Sequence, residues 1–240
     1  MKLASLRPQT QKGQTVLHPQ QVEEEPVRFI AIVTEGSKEE LAYLKGYCSH
    51  LQQKGWVCKG QILYLNDSIR PDIYNKEIQA SHPKRRMELM KELLSQKNPD
   101  FLYRPEEAWM VCDRDDGSFH VDQYEEVYEV CQQEGIHWVV SNPAFQLWLL
   151  LHYDSWLSDR LFEDGLSSKA RVDIIERRLK VLLPAYRHGS LNFSFLASKV
   201  ERAKENSRRY CTDVEHLKDE VGTNFAPLMD ALRQFHTECS

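Results

Sequence analysis

Hydrophobic and polar residues follow one another in blocks that predict strands separated by helices. Nearly continuous apolar runs, typical of strands buried on both faces of a parallel sheet, occur at 27–33, 61–65, 108–112 and 136–140. Apolar residues at helical spacing fall between and after them, at about 37–55, 84–97, 121–134 and 143–151. Strands that alternate with helices imply an α/β fold, with a parallel sheet flanked by helices.

The two ends of the chain differ from this central region. Residues 1–26 are rich in glutamine and proline and have no apolar period, so we expect a disordered N-terminal arm. Beyond Tyr153 only helical segments are predicted, at about 156–164, 169–183, 194–210 and 223–236. We therefore expect an α/β domain at 27–153 and an all-helical C-terminal region at 154–240 packed on it.

Composition narrows the class of protein. Hydrophobic residues make up 41% of the chain, and the net charge of −5 argues against nucleic-acid binding by overall charge, though not against a local basic face. The sequence has no apolar run long enough to span a membrane and no apolar signal core at its start. Its six cysteines form no C-x-x-C pair. We expect a cytoplasmic protein with reduced thiols and no membrane partner.

Carboxylates follow two of the predicted strands. Glu35 comes directly after the first strand, and Asp113 and Asp115 come at the end of the third. The carboxyl ends of parallel strands meet at one edge of the sheet, so these groups can converge if the strands are neighbours. Oxygen ligands of this kind suit Mg²⁺ or Mn²⁺, and Lys38, at the start of a helix, could meet a phosphate. The alternatives are an acidic turn that faces water and a solvated lysine.

Other motifs that use such residues do not match. A phosphatase motif needs glycine directly after the second aspartate, where Asp116 stands. An EF-hand loop needs glycine one place later than Gly117. The sequence contains neither a P-loop nor a G-x-S-x-G nucleophile elbow. A metal site formed by Glu35 and the aspartates therefore remains the leading interpretation.

The predicted helical region is rich in basic residues. Between 159 and 210 lysines and arginines outnumber the acids, and both signs interleave. One interpretation is a set of solvated helix faces with ion pairs; the other is a surface that follows a phosphate backbone. The candidate nucleic-acid contacts are Arg114, Arg171, Arg178, Lys199 and Arg202.

Three blocks of residues resemble the RloB-like family, a branch of the TOPRIM domains. The blocks are Glu35-Gly36-x-Lys38-x-Glu40-x-x-Tyr43, Trp109-x-Val111-x-Asp113-Arg114-Asp115, and Ser141-Asn142-Pro143-x-Phe145-x-Leu147-Trp148-x-Leu150-Leu151-His152. The likeness runs from about Phe29 to Tyr153, and Gly222-Thr223-Asn224 resembles the family's C-terminal end. It implies a TOPRIM-like, Rossmann-type sheet at 27–153.

The resemblance also implies an activity: a metal-dependent nuclease of bacterial anti-phage defence that commonly works with a partner ATPase. By that analogy Glu35, Asp113 and Asp115 bind the metal. Gln146 departs from the family, which usually has glutamate there, and an amide cannot add a fourth negative charge.

The leading hypothesis is phosphodiester hydrolysis of DNA or RNA, possibly tRNA. Glu35, Asp113 and Asp115 would position Mg²⁺ or Mn²⁺, while Lys38 and Arg114 would stabilise developing charge. The alternatives are a catalytically inactive sensor or toxin subunit held by an ATPase, which Gln146 favours, and nucleotidyl transfer of primase type. Expected partners are a nucleic acid and an ATPase encoded nearby, and self-association is left open.

Overall fold

The computed structural model describes seven stretches of the chain: 29–36, 38–65, 83–95, 105–117, 119–153, 157–183 and 186–238. The predicted N-terminal arm, 1–26, lies outside the described residues. No helix among the described residues has the length and apolar character needed to cross a membrane.

Strands and helices alternate through the first part of the chain. The strands are β1 (Phe29–Thr34), β2 (Trp56–Cys58), β3 (Gln61–Tyr64), β4 (Glu107–Asp113), β5 (Ile136–Asn142), β6 (Gly222–Thr223) and β7 (His236–Glu238). The α-helices are α1 (Glu39–Gln53), α2 (Pro83–Leu94), α3 (Val121–Glu134), α4 (Gln146–Leu151), α5 (Ser168–Leu182), α6 (Val200–Ser207) and α7 (Ala226–Gln234). Short 3₁₀ turns lie at Asp159–Phe162, Phe193–Phe195 and Ala197–Lys199.

The central sheet has the strand order β3-β1-β4-β5-β6. Strands β3, β1, β4 and β5 are parallel, and β6 pairs with β5 in the antiparallel direction. The chain passes from β1 to β3 on one side and then returns to place β4 on the other side of β1. The order therefore reverses between β1 and β4, the position at which open α/β sheets form their binding crevices. The predicted α/β class is confirmed.

The sheet is buried on both faces along β1, β4 and β5 because most positions of these strands are apolar. In β1, Ile30 and Ile32 face a core formed with α1, α4, α5, α6 and α7, whereas Ala31 and Val33 face a second core formed with α2 and α3. Side chains on successive residues of a strand point to opposite faces, so a continuous apolar run supplies both cores. The helices after Tyr153 thus pack on the same core as α1.

The prediction that only helices follow Tyr153 is wrong at two places. Strand β6 extends the central sheet, and β7 pairs with β2 in a separate two-stranded sheet. Strand β6 is only two residues long, and a Cβ atom at Gly222 would lie 2.0 Å from the carbonyl oxygen of Cys211. Glycine permits this approach, and the side chains of Thr223 and Ser141 are hydrogen-bonded across β6 and β5 at 2.8 Å.

Candidate metal centre

Glu35 and Asp113 meet at the point where the strand order reverses. The backbone N–H of Glu35 donates to the carbonyl oxygen of Val111 at 2.8 Å, which extends the pairing of β1 with β4 by one residue. Glu35 Oε2 then accepts from the backbone N–H of Asp113 at 2.8 Å. Both residues are partly exposed. The structure therefore brings together two of the three predicted metal-binding acids at a place that solvent can reach.

Asp113 is held in place by the start of the next helix. Its Oδ1 accepts from the backbone N–H of Phe145 at 2.8 Å, just before α4 begins at Gln146. A backbone donor fixes one oxygen of each carboxylate, Asp113 through Phe145 and Glu35 through Asp113. Their other oxygens are therefore held in a defined orientation at the end of the strands.

Asp115 lies in different surroundings from Glu35 and Asp113. The extended conformation of β4 ends at Asp113, so the alternation that would place Asp113 and Asp115 side by side does not continue. Asp115 is exposed, and its Oδ1 accepts from the backbone N–H of Gly117 at 3.0 Å. Its charge nevertheless contributes to raising the pKa of Glu35.

Two further buried carboxylates, Glu39 and Glu40, lie beside the pair. The residues Ser37-x-x-Glu40 match a capping box, in which Glu40 would reach back to the backbone, but Ser37 lies outside the described residues. In the structure, Glu40 Oε1 accepts from the backbone N–H of Gly36 at 3.2 Å, and α1 begins at Glu39. The helical spacing does indicate that Glu40 is buried, because Glu40 precedes the buried Leu44 by one turn and so lies on the apolar stripe of α1.

Glu39 is bound by a polar network from three parts of the chain. Its Oε2 accepts from Gln146 Nε2 at 2.8 Å and from the Tyr186 hydroxyl at 3.5 Å, and its Oε1 accepts from the backbone N–H of Gly189 at 2.7 Å. Gln146 thus donates a hydrogen bond to the Glu39 carboxylate, a contact that an ionised glutamate at that position could not make. The departure from the family pattern has a local physical reason.

Burial and mutual repulsion raise the pKa values of Glu35, Asp113 and Glu40. Burial raises the pKa of Glu35 to about 7, against the opposing effects of the Asp113 N–H and Arg86. Burial also raises the pKa of Asp113 and of Glu40, and neighbouring carboxylates add to both shifts. The cluster therefore lacks positive charge, a deficit that a bound cation would relieve.

Arg86 is a cation near the acids that no sequence motif singled out. It extends from α2, and its guanidinium donates to the carbonyl oxygens of Thr34 and Glu35. Its charge lowers the pKa of Glu35, but it binds the backbone of the β1 turn and not the carboxylate itself. Arg86 therefore fixes the end of β1 and only partly neutralises the acids.

The carboxylates fit a hard divalent cation by their chemistry. Within the stretches that the structure describes, no group of three or more His, Cys, Asp or Glu side chains has the spacing of a metal site. The predicted three-carboxylate arrangement is thus not formed in this conformation. Mg²⁺, however, commonly takes one or two carboxylates and keeps several waters, and Glu35 and Asp113 supply such a pair.

The other predicted residues lie in different surroundings. Lys38 is exposed at the first turn of α1. Arg114 is buried, and its guanidinium donates to the carbonyl oxygens of Lys218 at 2.9 Å and Phe119 at 2.5 Å. Arg114 therefore supports the loop after β4, and its position gives no support to the predicted phosphate contact or to a role in stabilising charge on a substrate.

The four predicted basic contacts other than Arg114 divide into two groups. Arg178 and Arg202, on α5 and α6, line one cleft together. Arg171 donates to the carbonyl oxygen of Glu163 at 3.5 Å, and Lys199 donates to that of Phe195 at 2.9 Å and lies over the Tyr153 ring. The structure brings the first two together and assigns the other two local contacts.

A buried histidine connects the site helices. His152 Nδ1 donates to the carbonyl oxygen of Trp148, so Nε2 of the neutral ring accepts from the Tyr43 hydroxyl, at 2.9 Å in both cases. Burial lowers the pKa of His152 to about 4. Packing in the aromatic core thus keeps this imidazole neutral.

His152→Gln should reveal this shift as a change in stability with pH. In the unfolded chain the His152 imidazole takes up a proton near pH 6.5, whereas in the folded chain it does so only near pH 4. The wild type therefore loses stability as the pH falls between these values. Glutamine takes up no proton in this pH range, so the variant does not lose stability in this way. The free-energy difference between the two proteins should be largest above pH 6.5 and shrink by up to about 3 kcal/mol towards pH 4. Urea unfolding at several pH values measures it; a constant difference would contradict the neutral buried ring.

Comparison with known proteins identifies the family. A family model described as RloB-like protein matches residues 30–232, which include the strand ends with Glu35 and Asp113. No curated protein and no solved structure matches the chain. The family match covers most of the chain and confirms the resemblance of its three sequence blocks. The chain belongs to the RloB-like family.

Proposed function

We propose that this protein is a metal-dependent nuclease of the TOPRIM type that hydrolyses phosphodiester bonds in DNA or RNA. The observation that supports this most is the meeting of Glu35 and Asp113 at the ends of adjacent parallel strands. Buried acids without a matching cation are costly, and sites that bind cations are a common reason to retain them. The family resemblance supports a role as an effector of anti-phage defence, together with a partner ATPase.

Each residue of the proposed site would have a separate role. Glu35 and Asp113 would hold Mg²⁺ or Mn²⁺, and Asp115, whose charge acts on Glu35, would join through water. A bound cation of this kind supplies Lewis-acid polarisation of the phosphoryl group and lowers the pKa of an attacking water. Lys38, exposed at the start of α1, would contact the phosphate that enters the site.

Glu35→Gln tests this function directly. Wild type should cleave tRNA or DNA only when Mg²⁺ or Mn²⁺ is present, and the variant should lower the initial rate about a hundredfold or more because it removes a charged ligand. Glu107→Gln is the matched control, since Glu107 lies at the opposite end of β4. Equal rates for all three proteins would reject the assignment of the site.

The second candidate is a catalytically inactive sensor or toxin subunit regulated by an ATPase. Gln146 favours it, because its amide is engaged with Glu39 and adds no charge to the cluster. The same cleavage assay, repeated with the co-expressed ATPase, separates the two functions. Absence of cleavage on every substrate, with and without the ATPase, would favour the inactive subunit.

A further inference from the structure

A concave cleft lies among α4, α5, α6 and the 3₁₀ turn at Asp159–Phe162. Its volume is about 700 Å³. Four arginines from three elements line it: Arg160, Arg177, Arg178 and Arg202. The described lining contains no carboxylate, so the cleft is basic in a protein whose net charge is −5.

The floor of this arginine cleft is apolar. Leu150, Leu161 and Ile175 form its buried base. Val181, which also lines it, is 68% exposed, whereas Ile175 and Leu179 of the same helix are buried. An apolar base under a rim of guanidinium groups suits a ligand that has both flat apolar rings and negative charges.

Arg177 and Arg160 keep donors for such a ligand. Arg177 Nε donates to the carbonyl oxygen of Asp173 at 3.1 Å, which orients the side chain. Its terminal N–H groups can then donate to a ligand. Arg160 approaches Glu163 only at 3.9 Å, and its side chain is 67% exposed. Planar guanidinium groups bind phosphate with two parallel hydrogen bonds and also stack on bases.

We propose that the arginine cleft binds a single-stranded segment of the nucleic-acid substrate, with bases on the apolar floor and phosphates on the arginines. This inference deepens the proposed function and rests on it, because it names the form of the substrate. In a duplex the bases are paired and stacked, and the protein meets mainly the sugar–phosphate backbone. A duplex therefore cannot place the face of a base in a cleft of this kind. Single strands expose the faces of their bases and bind where stacking surfaces and basic groups alternate.

The cleft and the acidic cluster are connected by one short helix. Gln146, at the start of α4, touches Glu39, and Leu150, four residues later, lines the cleft. Four residues correspond to a rise of about 6 Å along a helix. The cleft therefore lies a short distance along α4 from the residues that contact the acidic cluster, and in this inference it helps to place the bond to be cut.

Fluorescence anisotropy in EDTA tests the inference without any cleavage. The probes are a labelled single strand of about 12 nucleotides, as DNA and as RNA, a blunt duplex of the same sequence and an abasic strand of the same length. Wild type should bind at least one of the single strands about tenfold or more tightly than the duplex and the abasic strand. Equal affinity for single strand and duplex, or for single strand and abasic strand, would overturn the inference.

Arg178→Ala/Arg202→Ala is the informative variant, because it removes one arginine from each wall of the cleft. It should weaken single-strand binding about tenfold and reduce the slope of log affinity against log salt by about 1.4, the value for two phosphate contacts on a single strand. Lys180→Ala, on the same helix but outside the cleft, should change affinity less than about twofold at moderate salt. An unchanged slope in the double variant, or an equal effect of Lys180→Ala, would also overturn it.

The outcomes separate this inference from the proposed function. Single-strand binding that depends on Arg178 and Arg202, in a protein that cleaves nothing, would reject the nuclease and retain the binding cleft. Metal-dependent cleavage without preference for single strands would retain the nuclease and reject the cleft as the place of recognition.

Discussion

Asp113→Asn should abolish metal-dependent cleavage and leave the protein at least as stable as the wild type. Asparagine keeps an oxygen that can accept from the Phe145 N–H, so the local fold is preserved. It removes a charge that burial and the nearby Glu40 and Glu35 carboxylates disfavour, which is why the pKa of Asp113 is raised. The loss of several kcal/mol of charge stabilisation corresponds to about a thousandfold or more in rate.

Loss of cleavage without loss of stability is the result that identifies a functional acid. A carboxylate that holds the fold together costs stability when it is neutralised, whereas one retained for metal binding does not. Initial cleavage rates and urea unfolding at the same pH measure both quantities, with Glu107→Gln as the control at the other end of β4. An Asp113→Asn protein that loses several kcal/mol of stability, or that cleaves at the wild-type rate, would count against the proposed site.

Trp148→Ala should lower the free energy of unfolding by about 3–5 kcal/mol. Trp148 is fully buried in α4, stacks with Phe225 at a centroid distance of 5.1 Å and meets the edge of Tyr43 at 6.3 Å. These contacts hold α1, α4 and the start of α7 together, and removal of the indole leaves a cavity among them. The effect reaches the site, because the Phe145 N–H that orients Asp113 precedes the same helix.

Phe195→Ala is the matched control for this substitution. The Phe195 side chain is 49% exposed, so its removal should change the free energy of unfolding by about 1 kcal/mol or less. Denaturant unfolding of the three proteins measures the difference. A Trp148→Ala protein that unfolds at the wild-type denaturant concentration would show that the aromatic cluster contributes little to the fold.

The alternation of strands and helices was predictable because β1, β4 and β5 are mostly apolar and the helices between them have apolar residues at helical spacing. That pattern also placed Glu35 and Asp113 at strand ends, and the parallel pairing of β1 with β4 brought them together. The family and the α/β class followed from the same residues. Elements whose local pattern agrees with their tertiary environment are the ones that sequence reasoning finds.

Strand β6 was not predictable, because two residues carry no period. Gly222 and Thr223 join the sheet through contacts with Cys211 and Ser141, which are distant in sequence. The burial of Glu39 and Glu40 was not predicted, because it depends on how α1 packs against distant parts of the chain. The burial of Arg114 depends on carbonyl groups of Phe119 and Lys218 and could not be read from its acidic neighbours.

Calorimetric titration of the full chain with Mn²⁺ tests most directly whether the carboxylates at the ends of β1 and β4 form a cation site. We expect wild type and Glu107→Gln to bind Mn²⁺ with the same affinity, and Glu35→Gln and Asp113→Asn to lose most or all of that binding. Binding should also raise the stability of wild type by about 2.7 kcal/mol at a free Mn²⁺ concentration one hundred times the dissociation constant. Equal binding by all four proteins, or no binding by wild type, would contradict the metal centre.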